Sequence, residues 1–159
     1  MEKQNNEEKF VLICTDASNH SSRAFHWYCK YFHRPDHVVG LTYVYNQPET
    51  PTFDPEGIEY NRRVCEVLSK AQTITRTFQE MCTERGMKSH VLIEEKIDTI
   101  GNTICKIARE HNASCIVMGQ RGMGVIKRAM LGSVSDYVLH HAHITVLIVP
   151  PPKEEKNNK

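Results

Sequence analysis

Gly119-Gln-Arg-Gly122, nine intervening residues and then Gly132-Ser133 form the spacing in this chain best suited to chemistry. Glycine carries no Cβ, so backbone amides at such positions can approach a ligand closely. A helix beginning at Ser133 adds unpaired N–H groups and the positive end of its dipole, and together these suit phosphate. Two better-known phosphate patterns fail on this segment. Gly119 and Gly124 have the spacing of a P-loop, but Val125-Ile126 stand where a lysine and a hydroxyl belong. Gly122-Met-Gly124 opens a dinucleotide fingerprint, but Lys127 occupies the third glycine position. Arg121, Lys127 and Arg128 lie in the same stretch, either neutralising phosphate or simply solvated.

Other residue groups offer less. Asp16, in Cys14-Thr15-Asp16-Ala-Ser, would repel a triphosphate unless it faces ribose hydroxyls or a Mg²⁺ ion. Its structural alternative is a carboxylate set against a helix dipole. His140-His141-Ala-His143 is the densest part of a nine-histidine complement. Adjacent helical residues diverge, and no cysteine or carboxylate stands at ligand spacing, so a solvated helix end is the expectation. The G-x-S-x-G elbow of a serine hydrolase is absent. Trp27 and the aromatics near it fit a buried helix face. The acids Glu49, Asp54 and Glu56 read as a solvated insertion, with closure over a ligand as the alternative.

A length of 159 residues suits one domain with a sizeable core. The net charge of +1 argues against nucleic acid or an anionic membrane as partner. No apolar run approaches a membrane span, and residues 1–8 lack the apolar core of a signal peptide. A soluble, cytoplasmic protein is expected. The six cysteines occur singly, mostly inside apolar runs, and read as reduced core thiols.

The elements that must position these residues alternate along the chain. Phe10–Cys14, Val38–Val44, Ser89–Glu94, Cys115–Met118 and Thr145–Val149 read as strands, the third more polar and near an edge. Between them, Ala24, Trp27, Tyr28, Tyr31 and Phe32 recur at helical spacing behind possible caps at Ser18, Asn19 and Ser21. A long helix over 59–85 carries Val64, Val67, Leu68, Ala71, Ile74, Phe78 and Met81 on one stripe. A further helix starts after Asp98 or Thr99, and a last one spans 133–141 with Ser133 and Asp136 at capping-box spacing. Strand–helix alternation implies an α/β fold: a single domain with a five-stranded, parallel, doubly wound sheet and helices on both faces. Residues 9–150 make the domain, and 1–8 and 151–159 read as flexible tails. Ligands of such sheets bind beyond the strands' carboxyl ends at the topological switch point. Thr15-Asp16, Val44 and the glycine segment would meet there.

Cys14-Thr-Asp16-Ala-Ser, Val-Met-Gly119-Gln-Arg-Gly122, Leu131-Gly132-Ser133-Val134-Ser135 and His143-Ile-Thr145-Val-Leu-Ile-Val149-Pro150 together resemble the universal stress protein family. The likeness covers nearly the whole domain, and the G-x2-G-x9-G-S/T pattern is that of the family's nucleotide-binding branch. The resemblance implies a Rossmann-like fold of universal stress protein type that binds ATP or AMP. It implies that Asp16 lies near ribose and phosphates, with a possible role in holding Mg²⁺, and that the Val44 backbone recognises adenine. Thr15 lies beside Asp16 in the same wall. Met118 and Gly119 match positions packing against the nucleoside, and Gly122, Gly132, Ser133, Val134 and Ser135 match phosphate-binding ones. It also implies a homodimer through Thr145–Val149 and a part in stress tolerance. Gln120 departs from the usual Ser or Thr.

The residues favour holding a nucleotide over consuming one, because no general base is evident. Slow ATP hydrolysis through Asp16 and a divalent metal is the alternative. An ATP pyrophosphatase would need a glycine-rich S-G-G-x-D-S loop where Thr15-Asp-Ala-Ser-Asn-His20 stands, and a synthetase would need H-I-G-H.

Overall fold

The computed structural model describes residues 8–120 and 131–152. Five strands, β1 (Lys9–Cys14), β2 (His37–Tyr45), β3 (Lys88–Glu95), β4 (Cys115–Gly119) and β5 (Thr145–Val149), form one sheet of order β3-β2-β1-β4-β5. Every pairing is parallel. The helices are α1 (Asn19–Tyr31), α2 (Ile58–Glu84), α3 (Ile100–Glu110) and α4 (Ser133–His141). The chain steps outward from β1 to β3, then returns to the other side of β1, so the switch point lies between β1 and β4. Reversing direction puts α1 and α2 on one face and α3 and α4 on the other.

Both faces of β1 are covered, which is why its sequence is continuously apolar rather than alternating. Val11 and Ile13 pack with Phe25, Tyr28, Leu41 and Phe78 under α1 and α2. Leu12 points the other way, into Ile104, Ile107, Ile116 and Val138 under α3 and α4. Truncating a fully buried residue such as Leu12 to alanine removes about 2–5 kcal/mol of stability.

The helices begin where their side chains can cap them. Ser18 caps α1 by accepting the Ser21 N–H, and Thr99 caps α3 by accepting that of Asn102. α2 starts behind Gly57, whose φ is +68°, and the carboxylate of Asp54 takes the Glu59 and Tyr60 N–H groups at 3.3 and 2.8 Å. The acidic loop thus supplies a cap from outside the helix. Of the stripe on α2, Ala71 and Phe78 are buried and the other members half-buried, and Thr75 and Cys82 beside it are buried as well. Tyr31 of α1 is 63% exposed and drops out of the aromatic stripe, its ring beside Trp27, while Phe32 still packs against the core.

The capping box expected at Ser133 and Asp136 does not form. Gly132 is the N-cap of α4, with no side-chain cap bond, and Ser133 is already the first helical residue. A residue inside the first turn cannot fold its hydroxyl back onto that turn's N–H groups, so the Ser133 side chain is exposed instead.

Candidate functional site

β1 ends sooner than its neighbours. Its register stops at Cys14–Thr42 against β2 and at Ile13–Val117 against β4, while β2 continues to Tyr45 and β4 to Gly119. A last bond runs from the Thr15 N–H to the Thr42 carbonyl at 2.8 Å, and the Thr15 hydroxyl donates to the same oxygen at 2.9 Å. The chain then turns away into α1. Asp16 organises that turn: its carboxylate accepts the Ser18 N–H at 2.8 Å and the Ser18 hydroxyl. The Ser21 hydroxyl accepts from the Asp16 N–H and donates to the Asp16 carbonyl.

The early departure leaves a lane between β2 and β4 that no strand among the described residues fills. In an extended strand the N–H and C=O of one residue point to the same neighbour, and successive residues point to opposite neighbours. Thr42 faces β1, while the Tyr45 carbonyl accepts from Lys96 just beyond β3. The N–H and C=O of Val44 therefore face the lane. On the other wall, the Gln120 N–H donates to the Val149 carbonyl at 2.9 Å. Gln120 thus faces β5, and the preceding residue, Gly119, faces the lane as well.

Gly119 has a second, structural reason to be glycine. A Cβ there would lie 2.2 Å from the His20 carbonyl oxygen, because the first turn of α1 crosses directly over β4. Arg23, one turn further on, fixes that crossing. Its Nη2 donates to the Gln120 carbonyl at 2.7 Å and to the Val149 carbonyl at 3.4 Å. Gly132 is the opposite case: among the described residues nothing lies within contact of a Cβ there.

Beside the lane, on the α3/α4 face, is a cleft of about 420 Å³ lined by Asn46, Lys96, Asp98, Ser133, Val134 and Tyr137, with the first turn of α3. Of the residues selected from sequence, Ser133 and Val134 line this cleft. Thr15, Asp16 and Gly119 stand at the lane, and Met118 is buried at 4% exposure in the core beneath α3 and α4. Ser135 is buried at 6%. Gly122, Arg121, Lys127 and Arg128 lie outside the described residues.

Arg23, Asn46, Lys96 and Tyr137 were not singled out from sequence. They come from four different elements or their ends, and no spacing along the chain relates them. Thiol chemistry is not available at the lane. Burial, with Asp16 and Cys105 adding to it, pushes the Cys14 thiol up to about 12, so it stays protonated. The helix-end histidines turn back onto their own helix: Nδ1 of His140 lies 2.7 Å from the Asp136 carbonyl, and Nδ1 of His141 lies 2.8 Å from that of Tyr137. Among the described residues no three His, Cys, Asp or Glu side chains converge as a metal cage would require, and no helix is long and apolar enough to cross a membrane.

Comparison with known proteins places this architecture. A universal stress protein of Methanocaldococcus jannaschii is 30% identical over 148 residues, 92% of this chain and 85% of that one. A universal stress protein of Synechocystis sp. is 42% identical over 59 residues, and the match spans 37% of this chain and about half, 55%, of that one. A solved universal stress protein family structure from Burkholderia pseudomallei superposes with a TM-score of 0.72 at 24% identity, covering 91% of this chain and 97% of that one. An Arabidopsis thaliana family structure with AMP bound does so with a TM-score of 0.66 at 19% identity, covering 95% and 97%. The family profile itself matches residues 9–150, from the first strand to the end of the last. With the profile matched across the whole domain and a relative 30% identical over 92% of this chain's length, the chain belongs to the universal stress protein family.

Proposed function

We propose that this protein is a stress-response module that holds an adenine nucleotide, ATP or AMP, and whose occupancy governs its association with partners. The observation that carries the reading is the lane above β1, where Val44 and Gly119 present main-chain N–H and C=O groups from opposite walls. A purine has donor and acceptor edges matched to such a pair, and an adjoining cleft of about 420 Å³ is of ligand size. Ser133 and Val134 open α4 at the same cleft, so its first N–H groups and dipole suit the phosphates. The AMP carried by the Arabidopsis relative supports the choice of adenine.

In this reading Thr15 and Asp16 stand by the ribose, Met118 and Gly119 pack on the nucleoside, and Gly122, Gly132, Ser133, Val134 and Ser135 surround the phosphates. In the same reading Asp16 would supply one carboxylate to Mg²⁺, which commonly takes one or two carboxylates with the rest of its shell from phosphates and water. When bound, the ion would neutralise phosphate charge. Asp16 would hold its position through the Ser18 contacts.

The test is calorimetry with ATP, AMP and GTP, with and without Mg²⁺. Binding of ATP or AMP in preference to GTP is expected, and no adenine-nucleotide binding at millimolar concentration overturns the reading. A turnover assay on the same sample separates holding from hydrolysis.

β5 is an edge strand of the sheet, and Val146, Leu147 and Ile148 are only half-buried. An apolar edge of this kind invites pairing. The proposal therefore includes a homodimer in which β5 pairs antiparallel with its copy across a two-fold axis.

A further inference from the structure

At the opposite end of the sheet from the lane, α1 and the end of α2 enclose a second groove of about 420 Å³, whose lining includes His26, Cys29, His33 and Met87. Its floor is a pair of sulfur atoms: Cys29 Sγ lies 3.9 Å from Met87 Sδ. Thiolate and thioether are the ligands that select soft cations such as Cu(I). With metal–sulfur bonds of about 2.3 Å, the length typical of a metal thiolate, a separation of 3.9 Å subtends an angle of about 120° at the metal. That is the angle of trigonal coordination, and one further ligand completes it.

His26 is one helical turn from Cys29 on α1, where side chains three apart are neighbours. Its Nδ1 lies 2.7 Å from the Ser22 carbonyl. A carbonyl only accepts, so Nδ1 carries the proton and Nε2 keeps its lone pair. A ring nitrogen fixed by a backbone carbonyl is the usual support for a metal-binding histidine. We propose that Cys29 Sγ, Met87 Sδ and His26 Nε2 form a three-coordinate site for a soft monovalent cation of the Cu(I) class.

The two cations lining the groove each have a partner of their own. Lys30 Nζ sits 5.0 Å over the Tyr31 ring, and Arg85 Nη1 donates to the Met81 carbonyl at 2.8 Å. When the cation binds, the S–H bond breaks, the S–metal bond forms and the proton leaves to solvent. Zn²⁺ does not suit the groove, because among the described residues no three His, Cys, Asp or Glu side chains converge and zinc takes four such ligands.

The test uses the full chain carrying Cys65→Ser, since Cys65 is an exposed thiol that would take Cu(I) on its own. Titration with Cu(I) against a bicinchoninate competitor should show one ion held per chain. X-ray absorption of that complex should show two sulfur ligands and one nitrogen. Cys29→Ser should abolish uptake, and Met87→Leu and His26→Gln should each weaken it at least tenfold. A copper shell with fewer than two sulfurs, or uptake unchanged by Cys29→Ser, overturns the assignment. The sulfur count is read without altering any ligand, so it stands even if a ligand variant folds poorly.

Discussion

Two glycines of the same motif differ in what a methyl group would meet. At Gly119 it would be pressed against the backbone of His20, 2.2 Å away, and backbone cannot swing aside. Gly119→Ala is expected to lower unfolding free energy by about 1–3 kcal/mol, measured in urea. At Gly132 none of the described residues would meet a Cβ and φ is −65°, which any residue adopts. Gly132→Val should cost less than about 1 kcal/mol yet weaken nucleotide binding at least tenfold, because the new side chain fills the approach to α4. Equal stability losses in the two variants would contradict this division. Asp16 can be divided the same way. Asp16→Ala loses both Ser18 contacts and should cost about 1–2 kcal/mol. Asp16→Asn keeps a carbonyl acceptor for Ser18 and should restore most of that stability without restoring Mg²⁺-dependent affinity. The motif's spacing was legible in sequence, but the separate duties of its glycines were not. They depend on α1, which lies about a hundred residues earlier and happens to cross Gly119.

α1 and β2 are joined at their other ends by an aromatic and imidazole cluster. The Tyr28 hydroxyl lies 3.1 Å from Nδ1 of His33 and 3.0 Å from Nδ1 of His37. One hydroxyl can donate to only one of them, so the other ring must donate to it, and the arrangement needs neutral imidazole on at least one side. Burial lowers the pKa of both histidines; Asp36 opposes the shift for both, while Lys9, Arg34 and His33 reinforce it at His37. A depressed folded-state pKa means that the unfolded chain binds more protons. The stabilisation is therefore fully present above about pH 6.5 and is lost as pH falls through the folded values. Unfolding free energy should fall on acidification by up to about 1.4 kcal/mol per pH unit for each histidine. His37→Gln should reduce that slope by one proton, and an unchanged slope would refute the assignment. At the level of elements the sequence was a good guide. Alternating apolar runs located every strand, and the polar Lys88–Glu95 does lie at an edge. The capping box failed because Gly132, one residue earlier, took the cap position, and four-residue spacing cannot distinguish a cap from a first turn.

For the whole molecule the outstanding surface is β5. The Val149 carbonyl bonds inward to Gln120, so by alternation the N–H groups of Val146 and Ile148 point away from the sheet. Val146→Pro removes an outward donor and leaves the β4 ladder intact. Sedimentation should find the wild-type chain dimeric and the variant monomeric with its far-UV spectrum retained; a wild-type monomer at high micromolar concentration would refute the pairing. The lane above β1 has a further consequence for how this protein can change. Val44 and Gly119 offer only main-chain groups to the lane, and every residue but proline has the same ones. In the proposed reading, selectivity for a base would follow from where three strands stop, and it would drift with strand length rather than with the side chain at position 44. Val44→Ala would trim packing beneath α3 and α4 yet keep the lane's main-chain groups, whereas exchanging the Val44 amide for an ester would remove one of them.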